Sequence, residues 1–313
     1  MNSRKVDLST TLAGVLLGNP VMNASGTWDE EGEQLLEDPK PGAIVSKTVK
    51  LKPVPGNPTP RLYDTNRGVI LNAIGLAGDG IEDFLARKLL PIKALGRRVV
   101  VNISGTTVEE YVELTARLDG SGIDMIEANI SCPNVKMGMS FGQDPKLTYE
   151  LVSAIRSRAK VPLIAKLTPN VTDIVAIAKA AQAGGADVLS LINTLLGMDI
   201  NPETGQPVLA NITGGVSGPG ILRVALRCVW QVCHCPDIRI PVIGMGGITE
   251  AADAMKFFWA GAQAVAVGTA NFGHPASAMP RIILGISEWL ERHGFSSFEE
   301  WRRSKETRQQ QQH

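Results

Sequence analysis

The chain has 313 residues, with 31 basic and 31 acidic side chains, so its formal net charge is zero. No overall field therefore attracts nucleic acid or an anionic membrane, and any bound anion must be held by local groups. Apolar residues make up 44% of the chain and aromatic residues 5%, and there are 32 glycines. This mixture is typical of a large α/β core built from short strands and tight turns.

The amino terminus carries no basic region followed by an apolar run, and no stretch approaches about 18 uninterrupted apolar residues. We therefore expect a cytoplasmic protein without an export signal or a membrane span. The four cysteines are then expected to be reduced. Cys233 and Cys235 flank His234 but lack a second ligand pair at zinc or iron–sulfur spacing, so no metal site is predicted.

Eight short apolar runs recur along the chain, each ending in a polar or glycine-rich stop. The runs are 19–26, 43–46, 98–102, 124–129, 162–166, 188–193, 241–244 and 264–268. Runs that are apolar on both faces and separated by amphipathic helices indicate a parallel sheet covered by helices, and eight repeats favour a single closed (β/α)8 TIM barrel. A doubly wound open sheet is the alternative, because sequence alone does not prove closure.

The sequence also predicts where three helices begin and how the chain ends. Thr107 and Glu110 form a pattern that resembles a capping box, and Thr172 and Thr249 are candidate N-caps of the helices after the fifth and seventh runs. Residues 302–313 are polar with a glutamine run and predict a solvated tail. The barrel domain is then expected to occupy residues 1–301.

Three gaps between runs are longer than the others, and they follow the second, fourth and sixth runs. A barrel builds its active site from loops at the carboxyl ends of its strands. These loops hold Lys47, Arg61 and the segment Asn72-Ala-Ile-Gly-Leu76, then residues 132–142, then residues 194–220.

The last two runs end in glycines, in Gly244-Met-Gly-Gly-Ile-Thr249 and Val267-Gly-Thr-Ala270. Glycines let a phosphate approach the main chain, whose amides favour its negative charge. The end of strands seven and eight is a frequent phosphate site in barrels. The two stretches therefore predict a phosphorylated ligand, although tight turns alone would also account for the glycines.

Lysines and asparagines close several of the other runs. Lys47 and Lys166 end otherwise apolar strands, so each is expected to need an anion, either a ligand or a neighbouring acid. Asn102, Asn129 and Asn193 offer hydrogen-bond donors and acceptors to a flat heterocycle.

The stretch from Glu127 to Lys136 concentrates reactive side chains after one strand. We expect Asn129 and Ser131 on one side of the extended chain and Glu127 elsewhere. Cys132 is either a small buried hydrophobe or a proton-transferring thiol. Glu127 is the sole carboxylate at a strand end and no histidine lies there, so the usual groups for hydrolysis are lacking.

These groups fit a flavin better than a hydrolytic site. FMN has a phosphate for the glycines and a ring whose N1 to O2 edge gains negative charge on reduction, which a lysine stabilises. Cys132 would then exchange a proton with the substrate, since a thiol near lysines is partly ionised at mildly alkaline pH.

The same residues resemble dihydroorotate dehydrogenase, in particular the catalytic subunit of its class 1B branch. The resemblance covers nearly the whole chain and is carried by Asn23-Ala-Ser-Gly26, Gly56-Asn-Pro-Thr-Pro-Arg61, Asn72-Ala-Ile-Gly-Leu76, Asn129-Ile-Ser-Cys-Pro-Asn-Val-Lys136, Asn193-Thr194, Gly244-Met-Gly-Gly247 and Val267-Gly-Thr-Ala-Asn-Phe272. The cysteine at position 132 resembles the cysteine of class 1 enzymes, and the Val-Lys that ends the motif resembles the class 1B sequences. The loop 136–142 is one residue shorter than the Gly-Gly-containing loop of the family.

The resemblance implies that FMN lies across the barrel mouth and that dihydroorotate stacks on its ring. The implied cofactor contacts are Ser25, Lys47, Thr48, Asn102, Asn129, Lys166, Ile192, Gly218, Gly246, Gly247, Gly268 and Thr269. The implied substrate contacts are Lys47, Asn72, Ala73, Ile74, Gly75, Leu76, Asn129, Asn193 and Thr194. It also implies that Cys132 removes the C5 proton while the C6 hydride passes to flavin N5, which yields orotate in de novo pyrimidine (UMP) biosynthesis.

Electron transfer beyond the flavin is expected to need a partner. No Gly-x-Gly-x-x-Gly follows a strand, and the cysteines are too few and too badly spaced for an iron–sulfur cluster, so this chain alone is not expected to use NAD. The resemblance to class 1B implies a separate subunit with FAD and a [2Fe-2S] cluster that relays electrons to NAD+. It further implies a homodimer of this chain within a heterotetramer.

Other functions remain open from the residues alone. Within the same chemistry they are a class 1A-like, fumarate-dependent enzyme and a dihydropyrimidine-oxidising relative. In a different class, a barrel aldolase or isomerase would use Lys166 as a Schiff-base amine, with a sugar phosphate at the glycines. A flavin-binding protein without turnover is a further alternative.

Overall fold

A computed structural model describes residues 6–27, 37–65, 68–131, 141–274 and 276–310 of the chain, with the backbone alone described for 306–310. The strands are β1 (Thr10–Leu12), β2 (Val15–Leu17), β3 (Val21–Asn23), β4 (Ala43–Val45), β5 (Leu62–Asp64), β6 (Ile70–Asn72), β7 (Arg98–Ile103), β8 (Met125–Asn129), β9 (Leu163–Leu167), β10 (Val188–Leu191), β11 (Leu195–Gly197), β12 (Gly214–Ser217), β13 (Val242–Met245) and β14 (Ala264–Val267).

The helices lie mainly between these strands. They are α1 (Gly80–Asp83), which continues through a π-helical turn (Phe84–Lys88) into α2 (Leu89–Ala94), then α3 (Val108–Leu118), α4 (Pro145–Arg156), α5 (Ile174–Ala183), α6 (Leu222–Cys233), α7 (Ala251–Trp259), α8 (Ala270–Gly273), α9 (Ala278–Arg292) and α10 (Phe298–Gln310).

Eight parallel strands close into a barrel in the order β3, β4, β7, β8, β9, β10, β13 and β14. Each corresponds to one of the eight predicted runs, and β14 pairs with β3 to complete the ring. The closed (β/α)8 barrel is therefore confirmed, and the open doubly wound sheet is wrong.

An apolar layer fills the barrel near the amino-terminal ends of its strands. Met22, Val100 and Met125 are almost completely buried there, and they cluster with Leu12 and Leu17 from the hairpin of β1 and β2. The hairpin thus closes the amino-terminal end of the barrel. A larger apolar cluster fills the space between the strands and the surrounding helices.

Local hydrogen bonds explain where two of the helices begin. The main-chain N–H of Glu110 donates to Thr107 Oγ1 at 3.3 Å, so the predicted cap of α3 is confirmed. The cap predicted at Thr172 is wrong, because Asp173 Oδ1 accepts from the N–H of Val175 at 2.9 Å. Asp173 stands one residue closer to the helix and carries a stronger acceptor.

The cap predicted at Thr249 is also wrong. Glu250 immediately precedes α7 and makes no side-chain cap. Thr249 instead donates from its main-chain N–H and its hydroxyl to Asp253 Oδ2, at 3.2 and 2.9 Å. The hydrogen bonds at this helix start therefore run towards a carboxylate inside the first turn.

Residues 302–310, which the sequence places in a solvated tail, continue helix α10. Lys305 is buried, and its Nζ donates to the main-chain oxygen of Phe258 at 2.8 Å. Trp301 is buried beside Phe258 and Phe298. A polar sequence here forms a helix that packs against α7 through Trp301 and Lys305, and residues 311–313 lie outside the described part.

Two of the three long loops build a second, smaller sheet. Strands β5 and β6 come from the loop after β4, and β11 and β12 come from the loop after β10. Together they form an antiparallel sheet in the order β11, β12, β6, β5, and Gly215 pairs with Asn72 where the two loops meet. Loops from strand ends on opposite sides of the barrel are thus joined over its carboxyl-terminal mouth. Within the described residues, none of the helices is both long enough and apolar enough to cross a membrane.

Candidate active site

Four polar side chains form one layer inside the barrel, next to the apolar layer and closer to the carboxyl ends of the strands. Along β7, β8, β9 and β10 the inward positions pass from Val100, Met125, Ile164 and Val188 to Asn102, Glu127, Lys166 and Ser190. Residues two apart in a strand share a face. Our expectation that Glu127 would lie away from Asn129 is therefore wrong, since both point into the barrel.

The Glu127 carboxylate is at the centre of this layer. Its Oε1 accepts from Asn102 Nδ2 at 2.6 Å and lies 3.6 Å from Lys166 Nζ, and its Oε2 accepts from Ser190 Oγ at 2.8 Å. Glu127 and Lys166 are 2% and 5% exposed. Of the two partners considered for Lys166, a ligand or an acid, the structure thus provides an acid.

Asn102 leaves one hydrogen-bonding atom without a partner. Its Oδ1 is buried and accepts no hydrogen bond from the described residues. The carboxylate of Glu127 can only accept, so the NH2 group of Asn102 must face it and Oδ1 must face away. A buried acceptor of this kind is normally satisfied, which suits a ligand that brings an N–H or O–H donor.

Three polar side chains meet at the ends of β8 and β10. Ser131 Oγ donates to Asn129 Oδ1 at 2.5 Å, and Asn193 Nδ2 contacts Asn129 Oδ1 at 3.3 Å and Ser131 Oγ. Asn193 Oδ1 accepts from the N–H of Thr194 at 2.8 Å. The structure therefore brings Asn129, Asn193 and Thr194 together, with Thr194 joined through its main-chain N–H.

Tyr111 supports this group from outside the barrel. The tyrosine is buried on α3, and its hydroxyl donates to the main-chain oxygen of Asn129 at 2.7 Å. The end of β8 is thereby fixed by a side chain from the neighbouring helix.

Ser25, Lys47 and Thr48 lie together at the ends of β3 and β4. Ser25 Oγ donates to the main-chain oxygen of Ser46 at 2.9 Å and lies 3.4 Å from Thr48 Oγ1. Lys47 is exposed, so the expectation that burial would force it to take an anion is wrong. Its ammonium group is available to a soluble anion.

The segment 72–76 leaves the smaller sheet and is held by its neighbours. Asn57 Nδ2 donates to the main-chain oxygen of Ala73 at 2.9 Å. Asn72 Nδ2 donates to the main-chain oxygen of Gly215 at 3.3 Å. The segment thus contacts both loops of the smaller sheet.

The predicted glycines come together at the ends of β12, β13 and β14. Gly247 has φ of 77°, and a Cβ there would lie 2.9 Å from the main-chain oxygen of Gly218. Ile192 is buried, and its Cγ1 lies 3.4 Å from the position of a Cβ on Gly246. Gly268 is different, because a Cβ there would lie 3.6 Å from its nearest neighbour, an ordinary contact.

Main-chain amides at these strand ends lack an acceptor in the described part of the chain. Among the described residues, none accepts a hydrogen bond from the N–H groups of Gly246, Gly247, Gly268 or Thr269. β13 and β14 are adjacent, so the four amides belong to one edge of the barrel. Amides grouped in this way suit a phosphate.

Cys132, the predicted proton-transferring group, lies outside the described residues, as does most of the shortened loop 136–142. Its immediate neighbour Ser131 belongs to the asparagine group at the end of β8. The main-chain N–H of Gly142 donates to the oxygen of Ile130 at 2.9 Å. The described residues Ser131 and Gly142, on either side of positions 132–140, thus both bond to the chain at the end of β8.

The other cysteines lie on and just after α6, away from these strand ends. Burial raises the pKa of Cys233 to about 12, and it also raises the pKa of Cys228. Neither thiol is thus inclined to form a thiolate near neutral pH. The described residues contain no group of three or more His, Cys, Asp or Glu side chains placed to hold a metal ion.

Sequence reasoning did not assign roles to Glu127, Ser190 or Tyr111. For Glu127 and Ser190 a signal was present, since each is a polar residue inside an otherwise apolar run. For Tyr111 there was none, because an aromatic residue on the inner face of a helix is ordinary core.

Comparison with known proteins identifies what the chain is similar to. The family model described as dihydroorotate dehydrogenase matches residues 7–290. A protein of Pelobacter propionicus named dihydroorotate dehydrogenase B (NAD(+)), catalytic subunit, is 52% identical over 294 residues, which cover 93% of this chain and 95% of that protein. The protein of the same name from Alkaliphilus metalliredigens is 47% identical over 303 residues, which cover 96% of this chain and 99% of the relative. The one from Geobacter sp. strain M21 is 49% identical over 298 residues, with 94% and 96% covered.

Proposed function

The chain belongs to the dihydroorotate dehydrogenase family, and on that basis we propose that it is an NAD-linked catalytic subunit that oxidises dihydroorotate to orotate in pyrimidine synthesis. The match covers nearly the whole length of the relatives as well as of the chain. The observation that connects the reaction to this site is the set of free amides at the ends of β13 and β14, at the same end of the barrel as Lys166 and Asn129.

The site fits FMN as its cofactor. Four main-chain amides suit its phosphate, the buried Asn102 Oδ1 offers an acceptor, and Lys166 supplies a positive charge. FMN, when bound, supplies the acceptor for the hydride that leaves C6 of the substrate. We assign its contacts to Ser25, Lys47, Thr48, Asn102, Asn129, Lys166, Ile192, Gly218, Gly246, Gly247, Gly268 and Thr269.

Dihydroorotate is a small carboxylic acid, and the exposed ammonium of Lys47 suits its carboxylate. The amides of Asn129 and Asn193 now bond to each other, and a substrate with matching donors and acceptors would replace those bonds. We assign the substrate contacts to Lys47, Asn72, Ala73, Ile74, Gly75, Leu76, Asn129, Asn193 and Thr194.

Cys132 is proposed to take the proton from C5 as the C5–C6 double bond of orotate forms. The residue follows Ser131, so its chain position is beside the asparagine group. A thiol accepts a proton most readily when it is ionised, and nearby lysines favour ionisation.

The electrons are proposed to leave through a second subunit that carries FAD and a [2Fe-2S] cluster and reduces NAD+. The relatives are named as catalytic subunits of NAD-linked enzymes, which supports a partner of this kind. A homodimer of this chain within a heterotetramer and a cytoplasmic location are parts of the same proposal.

Anaerobic addition of dihydroorotate to the isolated, FMN-loaded chain tests the function. We expect the visible flavin absorbance to bleach and not to recover when NAD+ alone is added, whereas adding the partner subunit should restore it. Unchanged absorbance with dihydroorotate would refute the proposal, and rapid recovery with NAD+ alone would refute the need for a partner. Borohydride trapping of a substrate on Lys166 would support the aldolase alternative.

A further inference from the structure

Glu127 is the group on which the polar layer of the barrel converges. Its two carboxylate oxygens contact Asn102, Lys166 and Ser190, which come from three different strands. Among the ion pairs of the described residues, Lys166 with Glu127 is the one in which both side chains are more than nine-tenths buried. Burying two charges costs several kcal/mol each, so an apolar pair of similar volume would often be no less stable. A role in the site accounts for the pair better than stability does.

Two properties of the site depend on this carboxylate. The first is charge, since Glu127 offsets the positive charge that Lys166 would otherwise present to a bound ligand. The second is direction, since Glu127 holds the NH2 group of Asn102 and so turns the unpartnered Oδ1 outward. Neither effect requires Glu127 to touch the ligand.

We propose that Glu127 is a positioning residue that sets the redox potential of the bound flavin, by balancing Lys166 and by fixing the Asn102 amide. This inference rests on the proposed function, because it needs FMN in the site. An isolated ammonium near a bound flavin would favour its reduced, negatively charged form, and the neutral pair would favour that form less. The wild-type chain therefore holds FMN at a lower potential than Lys166 alone would give.

The test is a set of FMN-loaded variants whose midpoint potentials and sulfite affinities are measured. Glu127→Gln keeps the size of the side chain and an acceptor for Asn102, but leaves Lys166 uncompensated. We expect it to bind reduced FMN at least ten times more tightly relative to oxidised FMN than the wild type does, a rise of about 30 mV for a two-electron couple. Sulfite, whose addition to a flavin places negative charge on the ring, should bind at least tenfold more tightly.

Two further variants separate charge from packing. Glu127→Asp retains the charge and should stay close to the wild-type potential. Ser190→Ala removes the hydrogen bond to Glu127 Oε2 without changing the charge. Its affinity for reduced FMN relative to oxidised FMN should stay within threefold of the wild-type ratio.

A double variant covers the case in which Glu127→Gln does not fold. Lys166→Met with Glu127→Gln removes both charges from the polar layer, so it is expected to fold, and its midpoint potential should be close to that of the wild type. The midpoint potential of Lys166→Met alone should be lower than that of the wild type and that of the double variant.

The outcomes distinguish this inference from the function it rests on. A wild-type potential and sulfite affinity in Glu127→Gln would overturn the role of Glu127. A folded double variant would also overturn it if the variant no longer binds FMN, or if its affinity for reduced relative to oxidised FMN differs more than tenfold from that of the wild type. A wild-type chain that takes up no FMN would refute the proposed function itself.

Discussion

Two lysines at strand ends of this barrel, one after β4 and one on β9, have opposite environments. Lys166 is buried and held by Glu127, whereas Lys47 is exposed at the end of β4. A buried ammonium has a fixed place and acts on a ligand through its field, while an exposed one is free to meet a carboxylate that arrives from solvent. The positions suit a division of roles in which Lys166 faces the cofactor and Lys47 meets the substrate.

Cys132→Ser tests the base at the scale of one residue. A hydroxyl is a far weaker proton acceptor near neutral pH than a thiol, so flavin reduction by dihydroorotate should slow by at least ~100-fold. FMN content should be unchanged, because the proposed cofactor contacts lie elsewhere. Stopped-flow reduction kinetics on FMN-loaded protein measure the effect.

Cys235→Ser is the matched control, since it makes the same change after α6, away from the strand ends. Its reduction rate should equal that of the wild type. Loss of bound FMN from Cys132→Ser, or an unchanged reduction rate, would contradict the role of Cys132.

At the scale of elements, strand ends and helix starts carry the chemistry and much of the local stability. The glycine-rich end of β14 differs from that of β13 in how closely the protein surrounds it. A methyl group at Gly268 would meet only ordinary contacts, whereas one at Gly247 would be forced against Gly218 and Leu222 in a left-handed backbone conformation. The open space at Gly268 therefore suits a ligand, while Gly247 is needed by the fold.

Gly268→Ala should weaken FMN binding without destabilising the chain. We expect the Kd for FMN to rise about tenfold or more, since overpacking a close contact costs roughly 1–3 kcal/mol. The free energy of unfolding without FMN should change by less than about 0.5 kcal/mol. Fluorescence titration with FMN and chemical denaturation measure the two quantities.

Gly273→Ala is the control, because Gly273 is exposed at the end of α8 with nothing near its Cβ position. An unchanged affinity in Gly268→Ala would mean that the phosphate does not approach this glycine.

Asp253 at the start of α7 gives the fold a defined response to acid. Burial opposes its ionisation, but hydrogen bonds from Lys256 and Thr249 outweigh that effect and lower the pKa of Asp253. A carboxylate with a lowered folded-state pKa adds stability above its unfolded-state pKa of about 4, and that stability is lost as the pH falls through the folded-state value.

Asp253→Asn should therefore lower the free energy of unfolding by about 1 kcal/mol at pH 7, with the difference from wild type closing as the pH is lowered below about 4. Urea denaturation across this pH range measures the difference, with Glu288→Gln on the exposed side of α9 as the control. A difference that stays constant with pH would contradict the assigned cause.

At the scale of the whole molecule, the barrel was predictable because eight apolar runs recur with helices between them. The smaller sheet of β5, β6, β11 and β12 was not, because strands of three or four residues carry too little periodicity to be read and their pairing joins distant loops. Helix α10 was missed for a related reason, since its polar sequence hides the few positions that pack on the barrel.

The site was predictable as a set of residue types but not as a network. Lysine, asparagine and glycine at strand ends indicated where a ligand would lie, because parallel strands bring their carboxyl ends to one edge. The ion pair of Glu127 with Lys166 depends on the register in which the adjacent strands β8 and β9 pair, and the exposure of Lys47 depends on how the loop after β4 leaves it. Neither is encoded in the local sequence.

FMN is proposed to lie at one end of this barrel, between the glycines of β13 and β14 and the layer of Lys166 and Asn102. Titration of the flavin-free chain with FMN, followed by absorbance and fluorescence, measures this binding. We expect saturable binding of one FMN per chain, with a weaker affinity in Gly268→Ala. A chain that is colourless as purified and whose FMN titration shows no saturation would contradict a flavin site in this barrel.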